Sequence, residues 1–415
     1  MAVDVLVAGG GLAGCSAAIA AAREGLGVLL VERGSYLGGN ATRGMVAPWQ
    51  SYHASKTPTN SGLPPQVIGG IAQEFVDDLV AYGASLGHIV DPIGFAGSLT
   101  PVDAEALKLY LPRKVASAGV EVQLGSSVMQ EHIAAAKFVI DATGQAYAAQ
   151  LMGAEVRRAK ELQPMTWMFT MENIDVATIR KRQLTEPDQF VLHPGILELR
   201  EDFVAVSGFF DIVKRAREKG ELDIPRDRLL FFSTPRPGEV LVNTTRVPAD
   251  HPQPRLEGLR QVALLADWMP RNVPGFEQAR LGRIADDIGE RESSRLVGRY
   301  ALSVDDLSNG RRFSDAVARG CYPIDIHSAS GDELSTRELS GEGWYDIPLR
   351  CLQAPNIENL LVAGRCISAD ASGFASARTL PTAMATGQAA AKVAAMKLRG
   401  QEMDFAACIS AVALV

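Results

Sequence analysis

Near its start the chain carries VLVAGGGLAGCSAAIAAAREGLGVLLVER, in which Gly9, Gly11 and Gly14 separate two apolar runs and Glu32 closes the second. The pattern predicts a buried strand at Val3–Ala8, an alanine-rich helix at Leu12–Glu24 and a second parallel strand at Val28–Val31, joined by minimal connections. Each glycine has its own task in such a unit. Gly9 permits the tight turn out of the strand, Gly11 lets the backbone approach a pyrophosphate, and Gly14 lets the helix lie close on the sheet. The helix N-terminus then presents free N–H groups and the positive end of its dipole to phosphates. Glu32 falls where a carboxylate can accept hydrogen bonds from the hydroxyls of an adenosine ribose, which argues against a 2′-phosphate there. Glycine-rich turns also occur without ligands, but here the strand, the helix and the acidic residue are all in place, and the unit is read as an adenine-dinucleotide site.

With 415 residues, 47% of them hydrophobic, the chain can bury a large core, and its length corresponds to roughly two to three domains. A formal net charge of −7 without a basic stripe argues against a nucleic-acid partner. The N-terminal residues lack a secretory signal, no apolar stretch reaches membrane-spanning length, and the apolar Phe405–Val415 segment is too short to span, so the expectation is a cytoplasmic protein without a membrane partner. Cys15, Cys321, Cys351, Cys366 and Cys408 are scattered with no CxxC, which indicates no zinc site, iron–sulfur cluster or redox disulfide and fits a reducing compartment.

Further along, Leu37–Gln50 reads as a glycine-rich loop and Ser51–Pro65 as a polar, proline-rich stretch. Helical patterns follow at Ile71–Tyr82 and from Asp103, where Leu107, Tyr110 and Leu111 repeat at helical spacing; Val120–Leu124 and Phe138–Ile140 read as strands, the second running into DATG at Asp141–Gly144. From Ala148 the character changes. Met165, Trp167, Phe169 and Met171 alternate, and Phe203–Phe209 and Glu239–Asn243 are strand-like, so a separate sheet is expected, with helices at Leu256–Met269 and Phe276–Ile288. The stretch Ile357–Leu398 returns to strand, glycine turn and alanine-rich helix. The expected organisation is a discontinuous nucleotide domain at residues 1–147 and 331–400, an inserted substrate domain with a mixed sheet at 148–330, and a tail at 401–415.

Ten segments carry a resemblance when taken together: GGGLAG with Glu32, LGGNATRG, TPVDAEALK, FVIDATG, VNTTR, VPGFEQARL, IGERESSRLVGRYAL, YPIDIHS, NLLVAGRCISAD and SARTLPTAMATGQAAA. Over nearly the whole chain they resemble the FAD-dependent oxidoreductase family of the glutathione-reductase-type flavoprotein superfamily. The resemblance implies an α/β fold with a Rossmann-like FAD-binding domain and FAD as cofactor. It implies cofactor contacts from Gly9, Gly11, Leu12, Ala13, Gly14, Glu32 and Arg33, from Gly39, Asn40, Thr42 and Arg43 of the glycine-rich loop, and from Ala142, Thr143 and Gly144 beside the pyrophosphate. At the flavin end it implies Gly364, Arg365, Asp370, Thr382 and Gln388. Gln145 stands where many relatives have Asp, and Thr379 and Ala391 alter the closing helix; neither change removes a backbone donor, so flavin binding should survive. The physical reading agrees, since a strand at Leu360–Ala363 would deliver a Gly-Arg turn and a helix from near Pro381 would aim its first N–H groups at the flavin O2 region, where negative charge develops on reduction.

Three segments are candidates for chemistry. In the RESSR run, Arg291 suits a substrate carboxylate or anionic reduced flavin because its planar fork matches two oxygens, while Glu292 and Arg295 also suit a structural ion pair. Asn243 and Arg246 form a polar pair at a strand end, fit either for a substrate cavity or for solvent. His327 alternates with Asp325 in YPIDIHS, so that Asp325 can orient the imidazole as a general base; a structural pair is the competing reading. His53 is a second candidate, and Cys366 is the thiol nearest the flavin turn, better read as a small buried residue. The expected reaction is hydride transfer from a small organic substrate, at a C–H next to N or O, to flavin N5, with reoxidation by oxygen, a quinone or a protein, since only one dinucleotide fingerprint is present. Competing readings are a flavin monooxygenase using NAD(P)H and oxygen, which GRCISAD in place of a Gly-Asp-Ala segment disfavours, and a non-redox dinucleotide-binding enzyme or a flavin-binding subunit. Homo-oligomer formation is left open.

Overall fold

The computed structural model describes residues 3–55, 62–327 and 334–415. Its centre is a five-stranded parallel sheet in the order Leu360–Val362, Ala136–Asp141, Val3–Ala8, Val28–Glu32, Glu121–Leu124. Val5, Leu6, Val7 and Ala8 are fully buried, as a central strand covered on both faces requires, and this is why the run shows no apolar–polar alternation. Strand Val3–Ala8 pairs with Val28–Glu32 on one side and with the much later Ala136–Asp141 on the other. Strand order therefore reverses beside Ala8, and a crevice opens at the carboxyl ends of these strands, where open α/β sheets bind ligands. The C-terminal strand Leu360–Val362 completes the edge next to Ala136–Asp141, so distant parts of the chain form one Rossmann-like sheet.

Small residues let two helices pack almost backbone to backbone on this sheet. A Cβ at Gly387 in helix Leu380–Leu398 would lie 2.1 Å from the carbonyl oxygen of Ala13 in helix Leu12–Arg23. Alanine richness in both helices thus serves close approach as well as propensity. Helix Ala104–Ser117 begins where expected, with the Asp103 carboxylate accepting from the N–H groups of Glu105 and Ala106.

A second five-stranded sheet runs Arg280–Ile284, Phe169–Glu172, Glu239–Val242, Leu229–Ser233, Ala205–Gly208. Expected as mixed, it is antiparallel at every pairing. The segment Phe276–Ile288, expected as a helix, supplies its edge strand. Cross-strand partners decide this: Arg283 donates to the Glu239 carboxylate and Arg280 pairs with Glu172, while Gly282 leaves room for the Thr170 hydroxyl. Helix Pro254–Asn272 covers this sheet through Val262, Leu265, Trp268 and Met269. Beyond residue 290 the chain returns to the first core, where Leu296, Leu302, Val317 and Ile324 are buried with the parallel sheet. The expected boundary at 330/331 lies outside the described residues. All five cysteines are free and buried, and among the described residues no helix is long and apolar enough to cross a membrane.

Candidate active site

The crevice at the strand ends is a cavity of about 390 Å³ whose floor is the first glycine turn. Gly9 takes φ +95°, and a Cβ there would strike the Ala142 carbonyl, so only glycine fits the exit from the strand. A Cβ at Gly14 would lie 1.8 Å from the Gly9 carbonyl oxygen; this glycine serves the turn itself and does not line the cavity. Gly11 differs from both. A Cβ on it would meet no protein atom within 4 Å and would project into the cavity at the N-cap of helix Leu12–Arg23, a position with no side-chain cap. Leu12, Ala13, Glu32, Arg33, Gly39 and Asn40 also line this space, as do Arg43, Ala142, Thr143, Gly144, Gly364 and Arg365. Glu32 reaches it already engaged, accepting from Gly10 N–H at 2.7 Å and Gly34 N–H at 2.6 Å. A carboxylate has about four acceptor positions, so further hydroxyls can still be received.

Other residues expected here face elsewhere. The buried Thr42 hydroxyl donates to the Leu37 carbonyl at 2.7 Å. Asp370 caps helix Ala371–Ala377 by accepting from Gly373 N–H and also accepts from Val304 N–H. Thr382 is fully buried with its hydroxyl on Thr379, and Gln388 ties Ile71 N–H to the Ala411 carbonyl. None of the four lines the cavity, because cap, turn and strap positions select the same small polar residues as a ligand does. Sequence reasoning missed Ser126, Ser127, Tyr147 and Ala383, which do line it. Gln145 lines it as well. The Arg365 guanidinium bridges the Gly144 and Glu290 carbonyls, clamping the DATG turn to the start of the RESSR segment. The Cys366 thiol donates to the Asp141 and Ala363 carbonyls, and burial pushes its pKa up to about 12, so it is a packed residue.

Asn40, Arg365, Arg378 and Leu380 also line a second cavity of about 540 Å³, so the two spaces adjoin at these side chains. The second cavity brings together His327 and Asp325, Arg291, and Asn243 and Arg246, from three segments far apart in sequence. His327 Nε2 lies 3.3 Å from Asp325 Oδ2, and the same carboxylate receives the Tyr322 hydroxyl at 3.0 Å and Arg378 at 3.2 Å. Burial would raise the Asp325 carboxyl, but the charges of its partners outweigh burial and hold it ionised, well below the usual carboxylate range. Burial, then the Arg291 charge, pull His327 down to about 3 against the opposing pull of Asp325; the imidazole is neutral at pH 7 and positioned by a fixed carboxylate. Arg291 donates to the Pro164 carbonyl and the Thr166 hydroxyl, while Glu292 and Arg295 form a buried ion pair at 2.8 Å. His53 lines neither cavity; its Nδ1 lies 2.9 Å from the Ser98 hydroxyl and its ring stands edge-on to His88.

Among solved structures, the fold is similar to a geranylgeranyl bacteriochlorophyll reductase-like protein from Thermoplasma acidophilum, at 14% identity, covering 96% of this chain and 79% of that one, with a TM-score of 0.46. It is also similar to p-nitrophenol 4-monooxygenase from Pseudomonas putida DLL-E4 (12% identity, 96% and 80% covered, TM-score 0.44) and to a flavoprotein/dehydrogenase from Cytophaga hutchinsonii (16%, 98% and 81%, 0.41). Comparison with curated proteins gives no match. The sequence pattern of the FAD dependent oxidoreductase family matches residues 4–406. That match spans nearly the whole chain, which therefore belongs to the FAD dependent oxidoreductase family and is an oxidoreductase enzyme with FAD as its cofactor.

Proposed function

We propose that the enzyme oxidises a small organic substrate at a C–H next to N or O, within the glutathione-reductase-type superfamily, with FAD held in the first cavity and substrate in the second. The adjoining of the two cavities at Asn40, Arg365, Arg378 and Leu380 carries this reading. When bound, FAD supplies the two-electron acceptor for the substrate hydride at its N5. The open cradle at Gly11 and the uncapped first turn of Leu12–Arg23 suit its pyrophosphate, Glu32 its ribose, and the side-chain-uncapped start of helix Leu380–Leu398 its flavin end. His327, held through Nε2 by Asp325, takes the proton released from the substrate N–H or O–H on its other ring nitrogen. Arg291 binds the anionic end of the substrate. The final electron acceptor would be oxygen, a quinone or a protein, in the reducing cytoplasm that five unpaired cysteines suit. The substrate domain is centred on the antiparallel sheet, between two parts of the FAD domain. Anaerobic bleaching of the flavin by candidate alcohols, amines and hydroxy acids tests the proposal; a flavin-loaded protein that none of them bleaches, but that consumes NADPH and oxygen while hydroxylating an aromatic, would replace it.

A further inference from the structure

Among the described residues, the arginines lining the second cavity outnumber its carboxylates. Three of its arginines are paired: Arg228 with Asp227 at 2.8 Å, Arg365 with Glu290 at 3.6 Å and Arg378 with Asp325 at 3.2 Å. Asp91, the remaining carboxylate of the lining, is occupied by the N–H groups of Ile93, Phe95 and Ala96. Arg226, Arg246 and Arg291 have no carboxylate within 4.0 Å among the described residues. Arg246 and Arg291 donate to the same Thr166 hydroxyl, at 2.8 and 3.3 Å, so two like charges are held side by side. Arg246 is 1% exposed, and its Nε has no hydrogen-bond partner. Burial and the neighbouring arginines pull Arg226 to about 10 and Arg291 to about 9, and Arg246 well below its ordinary value. Burial is the largest cause in all three, the neighbouring arginines add to it and Asp325 opposes it, so these guanidiniums, charged at neutral pH, are desolvated with only partial compensation. Desolvated cations without a counter-ion are costly, and an anion of the right shape relieves that cost on binding.

Among the described residues that line the cavity, one buried side-chain oxygen is unpaired. Asn243 Oδ1 is buried and receives no hydrogen bond, and a neutral hydroxyl satisfies it without adding positive charge, which an ammonium would. We propose that the substrate is a small hydroxycarboxylate anion, its carboxylate received by Arg246 and Arg291 with Arg226 nearby, and its hydroxyl held by Asn243 Oδ1 until it turns to His327, which takes its proton. The proposal rests on the reading of this cavity as the substrate site.

Calorimetric titration of the FAD-loaded enzyme with lactate, malate, lactamide and alanine tests it, with flavin content measured separately. The hydroxycarboxylates are expected to bind roughly tenfold or more tighter than neutral lactamide and than alanine. Arg226→Gln, whose side chain has no hydrogen bond or ion pair among the described residues and so is dispensable for folding, is expected to weaken malate roughly tenfold and leave lactamide unchanged. Asn243→Leu is expected to erase the preference for malate over succinate. Equal binding of lactamide and lactate, tighter binding of alanine, or no binding of either hydroxycarboxylate would overturn the proposal. Flavin content that stays high in those cases leaves the redox reading standing, whereas a preparation that binds malate but takes up no FAD counts against the redox reading alone.

Discussion

Gly11 and His327 show how differently two residues can be judged from the chain alone. At Gly11 the spacing within the fingerprint proposes a pyrophosphate contact, and the structure adds why substitution there would be selective: a Cβ meets no protein atom within 4 Å beyond its chain neighbours. Gly11→Val is expected to fold with the stability of the parent and to remain colourless when incubated with FAD, as read by flavin absorbance after gel filtration. At His327 the alternation with Asp325 put both on one strand face, but it could not show that Arg378 and Tyr322 fix the same carboxylate. His327→Gln is expected to keep full FAD content and to slow flavin reduction by substrate roughly 10²- to 10⁴-fold in anaerobic stopped flow. Thr42, Asp370 and Thr382 mark where residue-level reading fails, since their type is the same whether they face a ligand or cap a turn.

Among the elements, the parallel strands and the alanine-rich helices were legible because their period and composition follow from burial on both faces. The edge strand Arg280–Ile284 was not, because its apolar spacing also fits a helix and the choice rests on Glu239, Glu172 and Thr170, which lie on other strands. The contact of helices Leu12–Arg23 and Leu380–Leu398 yields a sharp expectation. Gly387→Val puts side-chain atoms on the Ala13 carbonyl, which must move, and Ala13 lines the first cavity, where FAD is proposed to bind. Urea unfolding should show a loss of about 1–3 kcal/mol, and FAD affinity should fall with it. Gly364 belongs to the same contact, since a Cβ there would reach Ala13 Cβ at 3.0 Å.

For the whole molecule, four imidazoles withdrawn from solvent, buried at His53 and His193 and half-buried at His88 and His327, link stability to pH, each with its pKa lowered by burial. Burial lowers His53 and His88 to about 4 and His327 to about 3, from an ordinary 6.5. As pH falls below 6.5 the unfolded chain takes up these protons before the folded one, so stability complete above that pH is lost progressively towards pH 4, by at most about 1.4 kcal/mol per pH unit for each imidazole. Urea midpoints measured between pH 7 and 5 should therefore fall with pH, with a shallower slope in His88→Gln than in the parent.

From its residues alone the chain determined the βαβ unit, its glycine turn and the return of the same grammar near the C-terminus, because those features are set by short-range spacing and by burial of contiguous apolar runs. Tertiary structure decided which cations go unpaired. Arg226, Arg246 and Arg291 come from separate segments and look in sequence like any other arginine; only packing shows that each lacks a carboxylate among the described residues while Arg228 and Arg378 have one. Charge compensation depends on distances through space, and linear order does not encode those.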